Sequence, residues 1–216
     1  LRPGRQDLPI RFVVDRIRDG RTFTTRRVVA HQGAEAIFNL DASFTQPEQG
    51  ISHQDAMPEA PDPDGLPDWE QTRVRRPEWS PPWHVGAVEL RMCDADELAP
   101  GDDSGTPRRM WIRPRGVIPD DPLFHAAVLI YASDRTLIST AARPHGLGFG
   151  TMRGASLDHA VWLHRVPHFS DWVLFITTSP VAHAARGLIH GAMYNRQGER
   201  IASVAQEGLI RVPREP

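Results

Sequence analysis

The chain of 216 residues contains no lysine and only one cysteine, Cys93. All 25 basic residues are therefore arginine, which excludes Schiff-base chemistry or a lysine nucleophile within this chain. One cysteine cannot form an internal disulfide or a cysteine-cluster metal site, and this predicts a reducing compartment such as the cytoplasm. No helix start or fixed cation is evident beside Cys93, so we interpret it as a packed apolar residue.

Other absences narrow the class of protein. The formal net charge is -2 and the pI about 6.6, so no basic excess indicates a nucleic-acid partner. No run of about 20 apolar residues occurs, so we expect no membrane span. The ends of the chain show neither the apolar run of a signal peptide nor a peroxisomal address of the Ser-Lys-Leu type. With 40% hydrophobic residues, the chain can bury a sizeable core.

The signatures of serine hydrolases and zinc enzymes are also missing. The sequence has no Gly-x-Ser-x-Gly elbow, and its ten histidines show no His-Glu-x-x-His spacing. His145 and His164 are candidate ligands, but satisfied or exposed histidines are commoner. No helix whose N-terminus could bind an anion follows the glycines Gly146, Gly148 and Gly150, so we interpret them as part of a loop. We therefore predict no metal and no cofactor.

Strand patterns dominate residues 1–46. Alternating segments at 9–17, 21–31 and 36–45 are separated by turn signals at Asp19-Gly20 and Gln32-Gly33. One face of the third segment is apolar: Phe38, Leu40, Ala42 and Phe44. We predict a three-stranded meander, followed by an interdomain linker over residues 47–83. Residues 47–82 hold 8 of the 20 prolines, and Trp69, Trp79 and Trp83 predict that the linker packs against the body of the protein.

The strongest helix signal covers residues 121–133. Asp120 and Asp121 suit the helix cap, and Pro122 suits the first helical position. Apolar residues surround the whole cylinder, which predicts a helix covered on most sides by a sheet. Strand-like segments flank it at 84–92, 109–114, 155–165, 171–178, 186–194 and 200–212, with an acidic loop at 94–106 and a loop after Asp134. One helix leading into an antiparallel meander predicts an α+β hot-dog arrangement over residues 84–216.

Two polar residues stand out against this framework. Asp134 follows the apolar helix, where a half-buried carboxylate could act as a general base, although an Asp there is more often a solvated turn residue. Strand alternation places Gln206 on the core face with Ala202, Val204 and Ile210. A buried amide needs partners, so Gln206 either ties strands together or serves a bound polar species.

Ser156, Asp158 and His159 form a third candidate group. Alternation puts Ser156 and Asp158 on one strand face and His159 on the other. Adjacent strand residues point to opposite sides, so Asp158 and His159 are not expected to form a catalytic dyad.

Several motifs carry a more specific signal. They include Tyr-Ala-Ser-Asp at 131–134, Pro-His-Gly-Leu-Gly-Phe at 144–149, Ser-Leu-Asp-His-Ala-Val-Trp-Leu-His-Arg at 156–165 and Ala-Ser-Val-Ala-Gln-Glu-Gly at 202–208, with further segments at 1–4, 18–28, 42–44 and 185–187. In order and spacing these resemble the acyl-CoA thioesterase II family, which are tandem hot-dog hydrolases.

The resemblance implies roles for three residues. Asp134 would be the catalytic base, and Ser156 and Gln206 would hold the attacking water. The implied fold is a double hot-dog with an incomplete first repeat, because members of this family normally have strands, a helix and a Gly-Gly-Gln segment before the Leu-Arg-Pro-Gly segment. Acyl-CoA would be the substrate. We also expect a homo-oligomer, a dimer or tetramer, because the apolar face of residues 9–45 lacks an obvious cover.

Three functions remain open from the sequence. The first is hydrolysis of acyl-CoA thioesters. The second is a hot-dog enoyl-CoA hydratase or dehydratase, which also uses an acidic residue and water. The third is a non-catalytic acyl-CoA-binding module.

Overall fold

The computed structural model describes residues 2–74, 85–94, 107–147 and 151–212. It divides into two compact units, Leu1–His53 and Gln54–Pro216. This division falls inside the stretch predicted as a linker. Trp79, Trp83, Gly148, Gly150 and most of the predicted acidic loop lie outside the described residues.

The first unit is an antiparallel sheet of three strands in the order β1-β2-β3. Its strands are β1 Arg11–Asp19, β2 Phe23–Gln32 and β3 Glu35–Thr45. At the first turn the Gly20 N–H donates to the Phe23 carbonyl over 3.0 Å, and a Cβ at Gly20 would lie 2.7 Å from that oxygen. Gly33 has a φ of +60°, which favours glycine at the second turn. Both turns occur where the sequence predicts them.

The register gives this sheet one apolar face. Phe12 pairs with Ala30, which pairs with Phe38, and Val14 pairs with Val28, which pairs with Leu40. Directly paired residues point to the same side of a sheet. The side chains that we call the apolar face of the first unit are well exposed: Phe12, Val14, Phe38, Leu40 and Phe44.

The second unit contains a seven-stranded antiparallel sheet in the order β4-β5-β8-β9-β10-β6, with β7 also paired to β10. Its strands are β4 Val88–Met92, β5 Arg108–Pro114, β6 Arg153–Ser156, β7 Ala160–Leu163, β8 Val173–His183, β9 Arg186–Asn195 and β10 Arg200–Arg211. Its helices are α1 Trp69–Val74, α2 Pro122–Ser133 and α3 Leu137–Ala142, with short 3-10 turns at Pro63–Gly65 and Arg143–His145. No helix in the described part of the chain is long and apolar enough to span a bilayer.

Each face of the large sheet carries its own hydrophobic cluster. On one face Leu129 and Ala132 of α2 and Leu137 of α3 share a core with strand residues such as Phe175 and Met193. The other face carries a second cluster: Trp111, Trp172, Leu174, Ile176 and Tyr194, with Met57 and Leu66 packed against it.

The described part of the proline-rich stretch is joined to the large sheet by polar contacts. The Trp111 indole N–H donates to the Pro61 carbonyl over 2.8 Å, and the Arg115 guanidinium pairs with Asp68 at 2.5 Å. Trp69 packs against the main core, as its aromatic surface predicts. Residues 54–74 therefore belong to the second unit.

Helix α2 begins as predicted but is covered less than predicted. The Asp121 carboxylate accepts a hydrogen bond from the Leu123 N–H over 2.8 Å, and Pro122 takes the first helical position. Only one stripe is buried: His125, Leu129, Ala132 and Ser133. The opposite side is exposed: Leu123, Phe124, Ile130 and Tyr131. The prediction of a helix covered on most sides is wrong for this chain. The composition of α2 shows that it has no polar face. It does not show which sides are covered by other parts of the protein.

Helix α3 replaces the loop predicted after Asp134. It starts after Thr136, whose φ of 69° turns the chain between α2 and α3. Glycine lets α3 approach the sheet closely, since a Cβ at Gly187 would lie 2.7 Å from the Ala141 Cβ. The predicted strand at 155–165 is likewise interrupted, and its two parts are β6 and β7.

Candidate active site

The end of α2 and two strands bring the three predicted site residues together. Asp134 is the C-terminal cap of α2, Ser156 ends β6 and Gln206 lies within β10. The Gln206 Nε2 donates to the Ser156 Oγ over 3.0 Å. The Ser156 Oγ lies 3.5 Å from the Asp134 Oδ1, which is long for a hydrogen bond between two oxygens. The three side chains form one continuous polar row.

Gln206 occupies the core face that alternation predicts. Its side chain is only 1% exposed, and its neighbours Val204 and Gly208 on the same face are also buried. Both ends of the amide have partners, because the Oε1 lies 2.6 Å from the His159 Nδ1. Burial with a hydrogen-bond partner at each end fixes the amide in place.

Asp134 lies in a different environment from the one expected. The sequence predicts a half-buried base, whereas Asp134 and Ser156 are both exposed in this chain. Asp134 follows the buried Ser133, so the helix directs it toward the open side of α2. The site thus runs from an exposed carboxylate to a buried amide.

His159 completes the row, and sequence reasoning missed it. Its Nε2 lies 2.8 Å from the Oγ of the buried Ser133. Alternation assigned His159 to the face opposite Ser156 on the assumption of an unbroken strand. Residues 157–159 instead lie between β6 and β7, so the alternation does not apply there. The spacing of Ser156 and His159 within one short motif was the available signal.

Asp158 takes no part in this row. Its Oδ1 accepts a hydrogen bond from the Glu207 backbone N–H over 2.7 Å, and the carboxylate is exposed. Asp158 therefore ties the segment between β6 and β7 to β10. Asp158 and His159 bond to different partners, as the prediction that they form no dyad requires.

One histidine cluster could be considered for a metal. Asp120, His125 and His168 place potential ligand atoms within 4.8 Å of one another. However, the His125 Nδ1 accepts a hydrogen bond from the Phe169 N–H over 3.0 Å. A neutral imidazole then carries its proton on Nε2, so His125 can bind a metal only by giving up that bond or its last N–H. These residues fit a metal poorly, and we assign them no metal role.

Of the two histidines considered as ligands from the sequence, His164 has a local partner. Its Nε2 lies 2.7 Å from the Ser203 Oγ. Burial, together with the charges of Arg200 and Arg165, lowers the pKa of His164. His164 thus links the end of β7 to β10.

Comparison with known proteins gives consistent results over both parts of the chain. Residues 87–209 match the family model described as acyl-CoA thioesterase, and residues 1–45 match the one described as acyl-CoA thioesterase N-terminal domain. Acyl-coenzyme A thioesterase 8 of Mus musculus is 33% identical over 226 residues, which cover 98% of this chain and 71% of the mouse protein. Acyl-CoA thioesterase 2 of Haemophilus influenzae is 32% identical over 220 residues, which cover 98% of this chain and 77% of that protein.

Solved structures confirm the predicted fold class. A protein with a hot-dog fold from Alicyclobacillus acidocaldarius aligns with a TM-score of 0.75 at 16% identity, covering 94% of this chain and 73% of that one, and shows the fold alone. The acyl-CoA thioesterase II TesB2 from Mycobacterium marinum is 41% identical with a TM-score of 0.77 and covers 94% of this chain and 73% of its own. Since the family models, the relatives that match 98% of this chain and the shared fold agree, the chain belongs to the acyl-CoA thioesterase family.

Proposed function

We propose that the protein hydrolyses acyl-CoA thioesters to a free acid and CoA, using a water molecule activated by Asp134. The single observation that carries this proposal is the row from the Asp134 carboxylate through Ser156 to the Gln206 amide. An exposed carboxylate beside two fixed polar groups can hold a water and accept its proton. The names of the relatives support the thioester as the bond that is cleaved.

The proposed reaction needs no covalent acyl-enzyme. The water oxygen attacks the thioester carbonyl carbon while Asp134 accepts the proton of the water. Ser156 and Gln206 orient the water, which reduces the entropic part of the barrier. The tetrahedral intermediate then collapses with cleavage of the C–S bond, and Asp134 returns the proton of the water to the departing sulfur, so that CoA leaves as the thiol. A backbone N–H would stabilise the oxyanion.

The surroundings of Asp134 support an acyl chain as part of the substrate. The side of α2 next to this residue carries exposed apolar groups, Ile130 and Tyr131, and Phe124 lies about two turns earlier. We propose that the acyl chain lies along this side of α2, with the thioester carbonyl beside Asp134. Burial of apolar surface from both partners would stabilise this complex.

We also propose a homo-oligomer, a dimer or tetramer, working in the cytoplasm. The exposed apolar side chains of the first unit, of which Phe12 is 62% exposed and Phe38 50%, support association. The single cysteine supports a reducing compartment.

Product analysis tests the proposed reaction. The purified protein is incubated with a saturated acyl-CoA and with the matching enoyl-CoA, and free thiol and double-bond absorbance are both followed. Thiol release from the saturated substrate supports hydrolysis. Loss of the double bond with an intact thioester would identify a hydratase, and recovery of both unchanged compounds after binding would identify a non-catalytic module.

A further inference from the structure

The polar row of the site extends beyond the three predicted residues. Five side chains are joined in the order Ser133, His159, Gln206, Ser156 and Asp134, with successive distances of 2.8, 2.6, 3.0 and 3.5 Å. Ser133 and Gln206 are buried, at 0% and 1% exposure, and Asp134 is exposed. The row therefore connects the interior with the proposed reaction site.

The direction of each hydrogen bond follows from the carboxylate. The Ser156 Oγ is the donor toward Asp134, because a carboxylate can only accept, although their separation of 3.5 Å is long for a hydrogen bond. The Ser156 Oγ must then accept from the Gln206 Nε2, and the amide oxygen is left facing His159. An amide oxygen also only accepts, so the proton of His159 must be on Nδ1.

Ser133 fits the same assignment. In a neutral imidazole with its proton on Nδ1, the Nε2 is an acceptor, and the Ser133 hydroxyl donates to it. The Ser133 Oγ also lies 2.7 Å from the Ile130 carbonyl of the preceding helical turn. One hydroxyl proton cannot serve both acceptors. If Ser133 donates to Ile130 instead, the His159 Nε2 must carry a proton, and His159 is then either in the opposite tautomer or protonated on both nitrogens.

The opposite tautomer of His159 would reverse the orientation of the Gln206 amide. With its proton on Nε2, His159 would accept at Nδ1, and the Gln206 amide would turn its NH2 group toward His159. The amide oxygen would then take the Ser156 proton away from Asp134. In either orientation the buried amide is paired with both His159 and Ser156, so the tautomer of His159 decides which end of the amide faces Ser156.

We infer that His159, in its Nδ1–H form, is a positioning residue that fixes the Gln206 amide with its nitrogen toward Ser156 and the attacking water. This inference rests on the proposed function for its catalytic consequence. The Gln206 Nε2 has two protons, of which one is used by Ser156 and the other is available to the water or the substrate carbonyl. His159 acts only through Gln206.

Two substitutions at His159 separate hydrogen bonding from packing. His159→Asn keeps an N–H at the position of Nδ1, whereas His159→Leu keeps volume and loses both nitrogens. We expect kcat of His159→Leu to fall about 10- to 100-fold, the effect of a misplaced catalytic group, with KM changed less than about twofold. We expect His159→Asn to recover most of the activity. His164→Leu is the matched control, since His164 also bonds to a side chain of β10, in its case Ser203, but lies outside the row.

The tautomer can be measured without any activity. Nitrogen-15 spectra of histidine-labelled protein at about pH 8, where a usual histidine is neutral, should show the His159 proton on Nδ1. The resonance is assigned by its loss in His159→Asn. Wild-type kcat in His159→Leu, or a proton on Nε2 or on both nitrogens, would overturn the inference.

The two proposals fail in different ways. If the wild-type protein releases no thiol, the proposed function fails, and the nitrogen-15 result alone decides the orientation of the amide. If Asp134→Asn is inactive while His159→Leu is fully active, hydrolysis stands and the positioning role fails. Should His159→Leu not fold, the activity of His159→Asn and the wild-type spectrum still give a decision.

Discussion

At the level of single residues, the position of Asp134 gives the sharpest prediction. Asp134→Asn keeps the shape of the side chain but removes its ability to accept a proton, so the rate should fall by about 10²- to 10⁴-fold, the usual contribution of a general base. Substrate binding should largely survive, which a thiol-release assay over a range of acyl-CoA concentrations can show.

Asp158→Asn is the matched control for that experiment. Asp158 is also an exposed aspartate near the site, but its carboxylate bonds to the Glu207 N–H. We expect it to keep nearly normal turnover. Near-normal turnover in Asp134→Asn, with a large loss in Asp158→Asn, would remove Asp134 from the mechanism.

Gln206 gives a second prediction at this scale. Gln206→Ala removes the amide from both Ser156 and His159, and loss of a buried hydrogen-bonding group costs about 1 to 3 kcal/mol of stability. We expect turnover to fall by a larger free energy than stability does. Enzyme kinetics and thermal unfolding of the same preparation compare the two.

A buried glutamine elsewhere serves as the control. Gln32 is 9% exposed and bonds to backbone groups of Arg5 and Leu8, so it is a structural tie in the first unit. Gln32→Ala should lower stability without changing turnover per folded molecule. If Gln206→Ala behaves in the same way, the water-holding role of Gln206 is wrong.

The residues of the site were predictable to different degrees. Alternation alone places the Gln206 side chain in the core, because the period of a strand is fixed. The roles of Asp134 and Ser156 come from family motifs and stay predictions. His159 was missed because its position depends on where the strand breaks, and the exposure of Asp134 depends on packing around α2. Neither property is encoded in local spacing.

At the level of elements, the hairpin between β8 and β9 contains unusual backbone geometry. Its two central residues, Ala184 and Ala185, have φ values of 50° and 59°, as in a type I′ turn. A residue other than glycine, asparagine or aspartate is strained there by about 1 to 2 kcal/mol.

Ala185→Gly should therefore stabilise the protein. Glycine relieves the strain but loses more chain entropy on folding, so we expect a net gain of about 0.5 to 1 kcal/mol. Thermal unfolding followed by circular dichroism should show a Tm higher by about 2 to 4 °C per kcal/mol, given the size of the chain. Ala192→Gly, within β9 at ordinary φ, should instead lower the Tm. A lower Tm for Ala185→Gly would mean that chain entropy outweighs the strain.

Elements with local signals were easier to predict than elements defined by tertiary contacts. The start of α2 is marked by Asp121 and Pro122, which act within one turn. Helix α3 has only six residues, and its stability comes from packing on strands at glycines such as Gly187. Short sequence patterns do not contain that contact, so the stretch after Asp134 resembles a loop.

At the level of the whole molecule, composition predicts the content of the fold but not the boundaries of its parts. High proline content correctly excludes long regular elements from residues 47–68, yet it does not show what this stretch packs against. The structure joins residues 54–74 to the large sheet through contacts such as the pair of Asp68 with Arg115. Proline lacks a backbone donor, so such segments are held by side chains and carbonyl groups whose partners are distant in sequence.

The distribution of apolar surface leads to a prediction about association. The apolar face of the first unit and the exposed side of α2 together present several large side chains to solvent, and three strands alone are marginally stable. We therefore expect the protein of residues 1–216 to be oligomeric or prone to aggregation, which light scattering over a range of concentrations can measure. Phe12→Lys combined with Phe38→Lys should weaken association, since the two residues flank Ala30 on one face.

Val13→Lys provides the matched control, because Val13 pairs with Val29 and so lies on the other face of the same sheet. It adds one charge to the side of the sheet opposite the apolar face. Association should therefore change less than in the double variant. A monodisperse monomer of the unaltered protein, stable to heating, would contradict the prediction. Equal effects of Val13→Lys and the double variant would show that association does not depend on the apolar face and would also contradict the prediction, because both changes only bring the net charge of -2 closer to zero and add no net repulsion.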